Sequence, residues 1–268
     1  MAEAFKFSGE GAKNYDQYLG PILFEPYAID VVSKIEQPGI RSVLEIACGT
    51  GRVTRHLRNR FKAPVKLVAS DINADMLHVA KTLLNDNSIE FKIEDAQNLS
   101  FPDNSFDLGV CQFSLMFWPD NKKGLSEAIR VLKPGGKFIF STWDKTTSMP
   151  VLKLIFDDNI LPYFKGEDTS RFLVPFSLFD PDLLKNWLEG AGFKNVKADR
   201  VPLSSKVSTA RDIVTAFFIK HSLGGEVAAK SPADFDKMAT KMEDDITRQF
   251  GGNDINFELS AFVITGEK

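Results

Sequence analysis

Blocks of apolar and polar residues along the chain change period in a regular order, and the sharpest change lies at Ser42–Arg52. Val43, Leu44, Ile46 and Ala47 form a short apolar run that breaks into Cys48-Gly49-Thr50-Gly51, and a polar amphipathic stretch, Arg52–Arg60, follows. This is the pattern of a buried strand feeding a tight turn and then a helix. The same alternation repeats downstream. Strands are expected at Val65–Ala69, Ile89–Ile93, Phe106–Cys111 and Lys137–Thr142, with helices at Ala74–Leu84 and about Lys122–Leu132. Met76, Val79, Ala80, Leu83 and Leu84 fall at helical spacing behind Asn73, a residue suited to capping. Ile89, Phe91 and Ile93 alternate with Glu90 and Lys92, the period of a strand. Strands and helices in this order argue for a parallel sheet covered on both faces.

Outside this region the pattern loosens. Residues 1–11 read as a loose polar tail. Tyr15 to Glu36 is helical in pattern with a break at Gly20-Pro21, and Ile22, Ile29, Val32 and Ile35 are placed on one apolar face. Pro134-Gly135-Gly136 stops the helix before the fifth strand. Asp144–Leu178 carries Phe and Pro but no strand pattern. Asp180-Pro181 then opens a well-signalled helix ended by Gly192, Phe193–Leu203 reads as a sixth strand, Thr209–Phe250 as a helical insertion and Ile255–Thr265 as a final strand. The expectation is one domain over 1–268, with a core of about 41–143, 180–204 and 255–266 and a cap assembled from about 12–37, 144–179 and 205–254.

Bulk composition narrows the classes. At 268 residues, 43% hydrophobic and 26% charged, the chain can bury a full core. A net charge of −3 gives no basic footprint for nucleic acid. No apolar run reaches the ~20 residues of a membrane span, and MAEAFKFSGEG lacks a signal-peptide pattern. Cys48 and Cys111 are the only cysteines, so neither a disulfide framework nor a metal cluster is expected, and a cytoplasmic location is the simplest reading. The 23 phenylalanines against 4 tyrosines are assigned mainly to core packing.

The candidate chemistry lies at strand ends, because parallel sheets bind ligands beyond the carboxyl ends of their strands. The first strand delivers Glu45 and the Gly49-Thr50-Gly51 turn, and the second delivers Asp71, placed to accept ribose hydroxyls. The third brings Asp95 and Ala96, suited to an adenine edge, and the fourth brings Gln112, Phe113 and Ser114. Ile72 and Met76 would sandwich a flat base.

VLEIACGTGR, SDINADML, EDAQNLSFPDNSFDLGVCQFSLMFWPD and RVLKPGGKFIFSTW resemble, in order and spacing, the motifs of class I S-adenosylmethionine-dependent methyltransferases. The nearest branch is similar to the small-molecule enzymes of the ubiquinone/menaquinone-biosynthesis type. The resemblance covers about 41–143, with a weaker echo over Asp180–Val196. It implies a Rossmann-like α/β sheet, mostly parallel with the last strand antiparallel, with helices on both faces and a helical cap. It implies S-adenosyl-L-methionine as cofactor and a small, partly hydrophobic methyl acceptor such as a quinone precursor, polyketide or other metabolite. Carried over residue by residue, Glu45 lies near the methionine end and Gly49 to Gly51 under it. Asp71 takes the ribose, Ile72 and Met76 the adenine faces, Asp95 and Ala96 its edge, and the Gln112 backbone the methionine amine. Tyr15 and Tyr18 fall where related enzymes place a helix over the cofactor. Phe113, Ser114, Asp144, Phe176 and His221 are candidates for the acceptor side, and no catalytic base is assigned. Two rivals share the sheet. An NAD-dependent oxidoreductase expects GxGxxG, whereas position 54 is Thr and Glu45 would face the pyrophosphate. A non-catalytic protein that retains the cofactor cleft would carry the same binding residues.

Overall fold

The computed structural model describes residues 9–36 and 38–268, so most of the expected N-terminal tail, 1–8, and Gln37 at the end of the first cap piece lie outside the described residues. Seven strands form one sheet in the order β3-β2-β1-β4-β5-β7-β6. β1 (Ser42–Ile46) sits centrally and pairs in parallel with β2 (Lys66–Asp71) on one side and β4 (Phe106–Gln112) on the other. β3 (Ile89–Ile93) extends the sheet beyond β2, and β5 (Leu132–Trp143) lies beyond β4. β7 (Asn253–Glu267) runs antiparallel between β5 and β6 (Lys194–Thr209). The strand order reverses between β1 and β4, which opens the crevice where ligands of such sheets sit. β1 is buried along its whole length, which is why it reads as a continuous apolar run rather than an alternation.

The helices flanking the crevice follow their sequence signals. Gly51, left-handed at φ 83, precedes the Arg52–Arg60 helix, and a Cβ there would meet Leu84 and Ala80 of the next helix. Asn73 caps the Ala74–Leu84 helix by accepting from the Asp75 and Met76 amides. Asp180 caps Pro181–Gly190 in the same way.

Several expectations need correction. The N-terminal segment is not broken at Gly20-Pro21: helix continues through Glu10–Asn14, Tyr15–Phe24 and Glu25–Ser33, the middle part in wide π-type turns. An ordinary turn would drive the Pro21 ring into the carbonyl four residues back, and a widened turn accommodates it. Glu10 and Gly11 belong to this helix rather than to a tail. Ile29 is exposed while Ile22, Val32 and Ile35 are buried, because the helix buries the face of Tyr27, Ala28, Val31 and Val32, and Ile29 lies to its side. Leu83 and Ile93 are also exposed, Ile93 at the end of the edge strand. β5 starts directly after the Asn121–Val131 helix, and the Gly135 amide and Gly136 carbonyl bond to Lys268, so the glycines lie within the ladder.

Asp144–Leu178 holds short helices, Pro150–Ile155, Phe156–Ile160 and Ser170–Leu173, each too short to repeat an amphipathic period. β6 and β7 are longer than expected. β7 pairs with β5 only from Ala261 onward, while its pairing with β6 continues back to Asn253 opposite Thr209. The ribbon thus runs past the sheet and carries the helical insertion at its tip. The insertion's Phe217, Phe218, Met242 and Ile246 join the same apolar core as β1 and β4.

Candidate cofactor site

A cavity of about 300 Å³ opens at the carboxyl ends of β1, β2, β3 and β4. That lies at the lower end of the size range of small-molecule sites. β1 ends in three left-handed residues at alternate positions: Ala47 (φ 57), Gly49 (φ 56) and Gly51 (φ 83). A non-glycine residue in this region is strained, and Ala47 sits on the cavity wall. A Cβ on Gly49 would meet nothing within 4 Å, so its α-carbon borders open space. The amides of the turn are used internally. Cys48 N–H donates to Ser70 O, Gly49 N–H to Asp71 Oδ2 at 2.8 Å and Gly51 N–H to Cys48 O. That is poor provision for a pyrophosphate, which needs free amides.

Asp71 is the pivot of the site. Its Oδ2 takes the Gly49 amide and its Oδ1 the Asn73 amide at 2.8 Å, leaving lone pairs on both oxygens for further donors. It is buried, and that burial raises its pKa against the backbone bonds that lower it. Ile72, 51% exposed, and Met76 line the cavity beside it. Asp95 Oδ1 takes the Gln97 amide at 2.8 Å, and Ala96 lies next to it on the wall. Gln112, Phe113, Ser114 and Tyr15 complete the predicted residues that the structure brings to this cavity. Burial, and next the charge of Asp71, push the Tyr15 phenol well up, so it acts as a hydrogen-bonding group rather than a base.

Other predicted residues lie off the wall. Glu45 is buried behind the turn, where its Oε2 accepts from Thr54 Oγ1 at 2.6 Å. Burial pushes its pKa up to about 8 despite that bond. Its folded pKa exceeds the ordinary carboxylate value, so the protein free of ligand should be most stable below about pH 4.5 as far as this group is concerned. It should lose stability as pH rises through about 8. Each unit is worth about 1.4 kcal/mol, so the loss is several kcal/mol. Glu45→Gln should flatten the pH dependence of denaturant unfolding between pH 5 and 8; an unchanged slope would exclude Glu45 as its source.

Thr50 is buried and its Oγ1 donates to Asp16 Oδ1 at 2.8 Å, so it ties the turn to the N-terminal helix. Gly51 caps a helix, and Tyr18 packs half-buried on the core. Asp144 is held by Arg200 Nε at 2.8 Å, Ser260 Oγ at 2.9 Å and the Lys145 amide, joining β5 to β6 and β7 rather than facing the cavity. Burial alone would raise its pKa, but these bonds lower it. Phe176 packs edge-on against Phe156 at 5.2 Å. His221 caps the Ser222–Lys230 helix, and burial pushes its pKa down to about 4. Hence Asp144, Phe176 and His221 are all placed outside this cavity.

Sequence reasoning missed Ala47, Asn73, Glu94, Gln97, Phe117 and Trp118, which also line the cavity. The sequence marks Asn73 only as a cap. Phe117 and Trp118 lie in the quoted strand-four motif, and their aromatic character was the available signal. Trp118 Nε1 donates to Ser114 Oγ at 3.1 Å, and Phe113 (φ 53) stacks on Trp143 with centroids 3.8 Å apart.

The N-terminal helix is pinned over this region by charge. Arg52 contacts Asp16 Oδ1 at 3.1 Å and the Asp16 carbonyl, and pairs with Glu25 Oε2 at 3.0 Å. Glu25 Oε1 also meets His56 Nε2 at 2.8 Å. Burial would raise the Glu25 pKa, but the His56 and Arg52 bonds outweigh it and hold it low. A Cβ on Gly20 would overlap the Arg52 guanidinium, so Gly20 forms the notch in which Arg52 sits.

Residues that suit S-adenosylmethionine are therefore gathered here: a buried carboxylate with spare acceptors, an apolar wall for a base, an open glycine and an orphan acceptor on Gln112 (Oε1). Among the described residues no cluster of metal-ligating side chains occurs, and no helix is long and apolar enough to cross a membrane.

The fold is shared with solved structures. It resembles phosphoethanolamine N-methyltransferase 2 of Haemonchus contortus in complex with S-adenosyl-L-methionine, with a TM-score of 0.61 and 16% identity over 98% of this chain and 58% of that one. It also resembles the YcgJ protein of Bacillus subtilis, with a TM-score of 0.56 and 21% identity over 90% and 97%. The chain thus shares the overall fold of these methyltransferase structures.

In sequence, the methyltransferase domain family matches residues 44–140. The ubiquinone/menaquinone biosynthesis C-methyltransferase UbiE of Hahella chejuensis is 35% identical over 174 residues, 59% of this chain and 70% of that protein. Its counterpart in Hydrogenovibrio crunogenus is 32% identical over 213 residues, 73% and 83%. The chain belongs to the class I S-adenosylmethionine-dependent methyltransferases of the UbiE type, and it is an enzyme with S-adenosylmethionine as its cofactor.

Proposed function

We propose that this enzyme methylates a ring carbon of a small, partly hydrophobic aromatic acceptor of the quinol class. The observation that carries the reading is the aromatic wall at the end of β4, where Phe113, Phe117 and Trp118 line the cavity beside the polar Ser114 and Gln112. A flat ring carrying a hydroxyl matches such a lining, with apolar faces and a few fixed polar groups. The names of its relatives support carbon as the site of methylation.

When bound, S-adenosylmethionine supplies a methyl group on a sulfonium, already activated for in-line displacement. The protein's task is then alignment and exclusion of water. On this reading Asp71 and Asn73 hold the ribose, Ile72 and Met76 the adenine faces, and Asp95 with Ala96 its edge. Glu45, buried behind the turn and bonded to Thr54, is protonated in the free protein and gives up that proton when the positively charged methionine end lies in front of the turn. Tyr15 closes the cavity from the N-terminal helix. The helical segments of 144–179 and 205–254 act as the cap that shapes the acceptor side; Val174–Phe176 packs against Leu115–Phe117 and so backs the aromatic wall.

The test is methyl transfer from S-adenosylmethionine to a short-chain naphthoquinol, a polyketide-type phenol and phosphoethanolamine, with products located by mass spectrometry and NMR. A new carbon-bound methyl on the quinol is expected. Transfer only to phosphoethanolamine would overturn the acceptor class. Tight cofactor binding with no transfer to any acceptor would favour a non-catalytic binding protein.

A further inference from the structure

Gln112 stands where the sheet, the cavity and the N-terminal helix meet. It ends β4, lines the cavity, and its Nε2 donates to the Phe24 carbonyl at 3.1 Å. That bond sets the orientation of the carboxamide, since only its NH₂ can face a carbonyl oxygen. Oε1 therefore points away from Phe24. It is buried and accepts from no group among the described residues. Buried side-chain acceptors nearly always have a donor, and because Gln112 lines the cavity, a small rotation of its carboxamide brings the unpartnered Oε1 within reach of a ligand there. Phe24 in turn stacks on Tyr15, a cavity residue, at 4.8 Å, and lies 5.8 Å from Phe113 and 6.1 Å from Trp143.

We propose that Gln112 is a positioning residue that couples filling of the cavity to seating of the N-terminal helix. Its Oε1 receives an N–H or O–H of the bound ligand while its Nε2 holds the Phe24 carbonyl. A donor on Oε1 fixes the side-chain rotamer, and a fixed rotamer holds Phe24 and, through the ring stack, Tyr15. The inference rests on the reading that this cavity takes S-adenosylmethionine. Two donors of the required chemistry then exist, the ammonium of the cofactor's methionine end and a hydroxyl of the acceptor.

The experiment uses the full chain, its Gln112→Leu and Gln112→Glu variants, and two nucleosides, S-adenosylhomocysteine and methylthioadenosine, which lacks the amino-acid part. Calorimetry gives affinity, and amide hydrogen exchange over 10–33 gives helix seating. If the wild type binds neither nucleoside, the cavity reading itself fails. Given binding, S-adenosylhomocysteine, alone or with the naphthoquinol, should slow exchange over 10–33 in the wild type and not in Gln112→Leu. The affinities then identify the donor. A loss of about tenfold or more for S-adenosylhomocysteine, with methylthioadenosine unchanged, assigns it to the ammonium. Unchanged nucleoside affinities with slowing that needs the naphthoquinol assign it to the acceptor hydroxyl. Gln112→Glu keeps the acceptor but turns an anionic oxygen toward the Phe24 carbonyl. It should therefore retain ligand affinity while exchange over 10–33 stays fast. Equal slowing in wild type and Gln112→Leu, or no slowing in the wild type, overturns the proposal.

Discussion

Asp71→Ala is expected to weaken S-adenosylhomocysteine binding by at least tenfold, on the order of 1.5–3 kcal/mol for lost charge-assisted bonds. The effect has two parts. The ligand loses the carboxylate lone pairs left over after the Gly49 and Asn73 amides are satisfied. The Gly49 amide also loses its acceptor, so the left-handed turn at Ala47 to Gly51 is held less firmly. Asp71→Asn separates them: its amide oxygen can keep one backbone bond, but the site loses its charge. An affinity by calorimetry that does not move in Asp71→Ala would refute the ribose role outright.

Arg52→Ala is expected to lower stability by about 2–3 kcal/mol, measured by denaturant unfolding. Its ion pairs to Asp16 and Glu25 are mostly buried, with Arg52 itself only 12% exposed, so truncation leaves two carboxylates without their shared cation. The figure stands below that for a fully buried pair because Glu25 is 26% exposed and keeps His56. Gly20→Val should reproduce much of the loss by filling the notch that Arg52 occupies. The double variant should then fall short of the sum, because both changes break the same contact. Strict additivity would show that Gly20 matters for the helix alone and not for Arg52.

The central sheet was legible because its strands are buried on both faces and bounded by turn residues, so Val43–Ala47 or Phe106–Cys111 could hardly be anything else. Asp71, Asp95 and Gln112 were legible as site residues because a parallel sheet sends each strand end to the same edge. What escaped was set by tertiary contacts. Gly20-Pro21 carries the local signature of a break, yet the helix continues through it in widened turns, and Arg52, distant in sequence, sits against the glycine's empty face. Asp144–Leu178 lacked a period because its helices are too short to repeat one. Asp144 and His221 looked like reactive groups beside a cleft. The structure gives each a partner set that explains it, Arg200 and Ser260 for one and a helix N-terminus for the other. The left-handed Ala47 and Phe113 had no signal at all, because neither residue type favours that conformation.

The β6–β7 ribbon has a consequence for how this enzyme diversifies. Thr209 and Asn253 are cross-strand partners, so the whole of 210–252 leaves and rejoins the sheet across a gap of one strand spacing, about 5 Å. A segment held that way is a cassette. An exchanged or lengthened cassette incurs only a slowly growing closure entropy, and it shifts no strand of the parallel half. One constraint remains on its contents: any replacement must present an apolar face where Phe217 and Phe218 now complete the core. The ribbon's tip and the glycine turn both lie beyond the carboxyl ends of the parallel strands, so an exchanged cassette alters what stands over that edge while Asp71 and the glycine turn keep their places in the sheet.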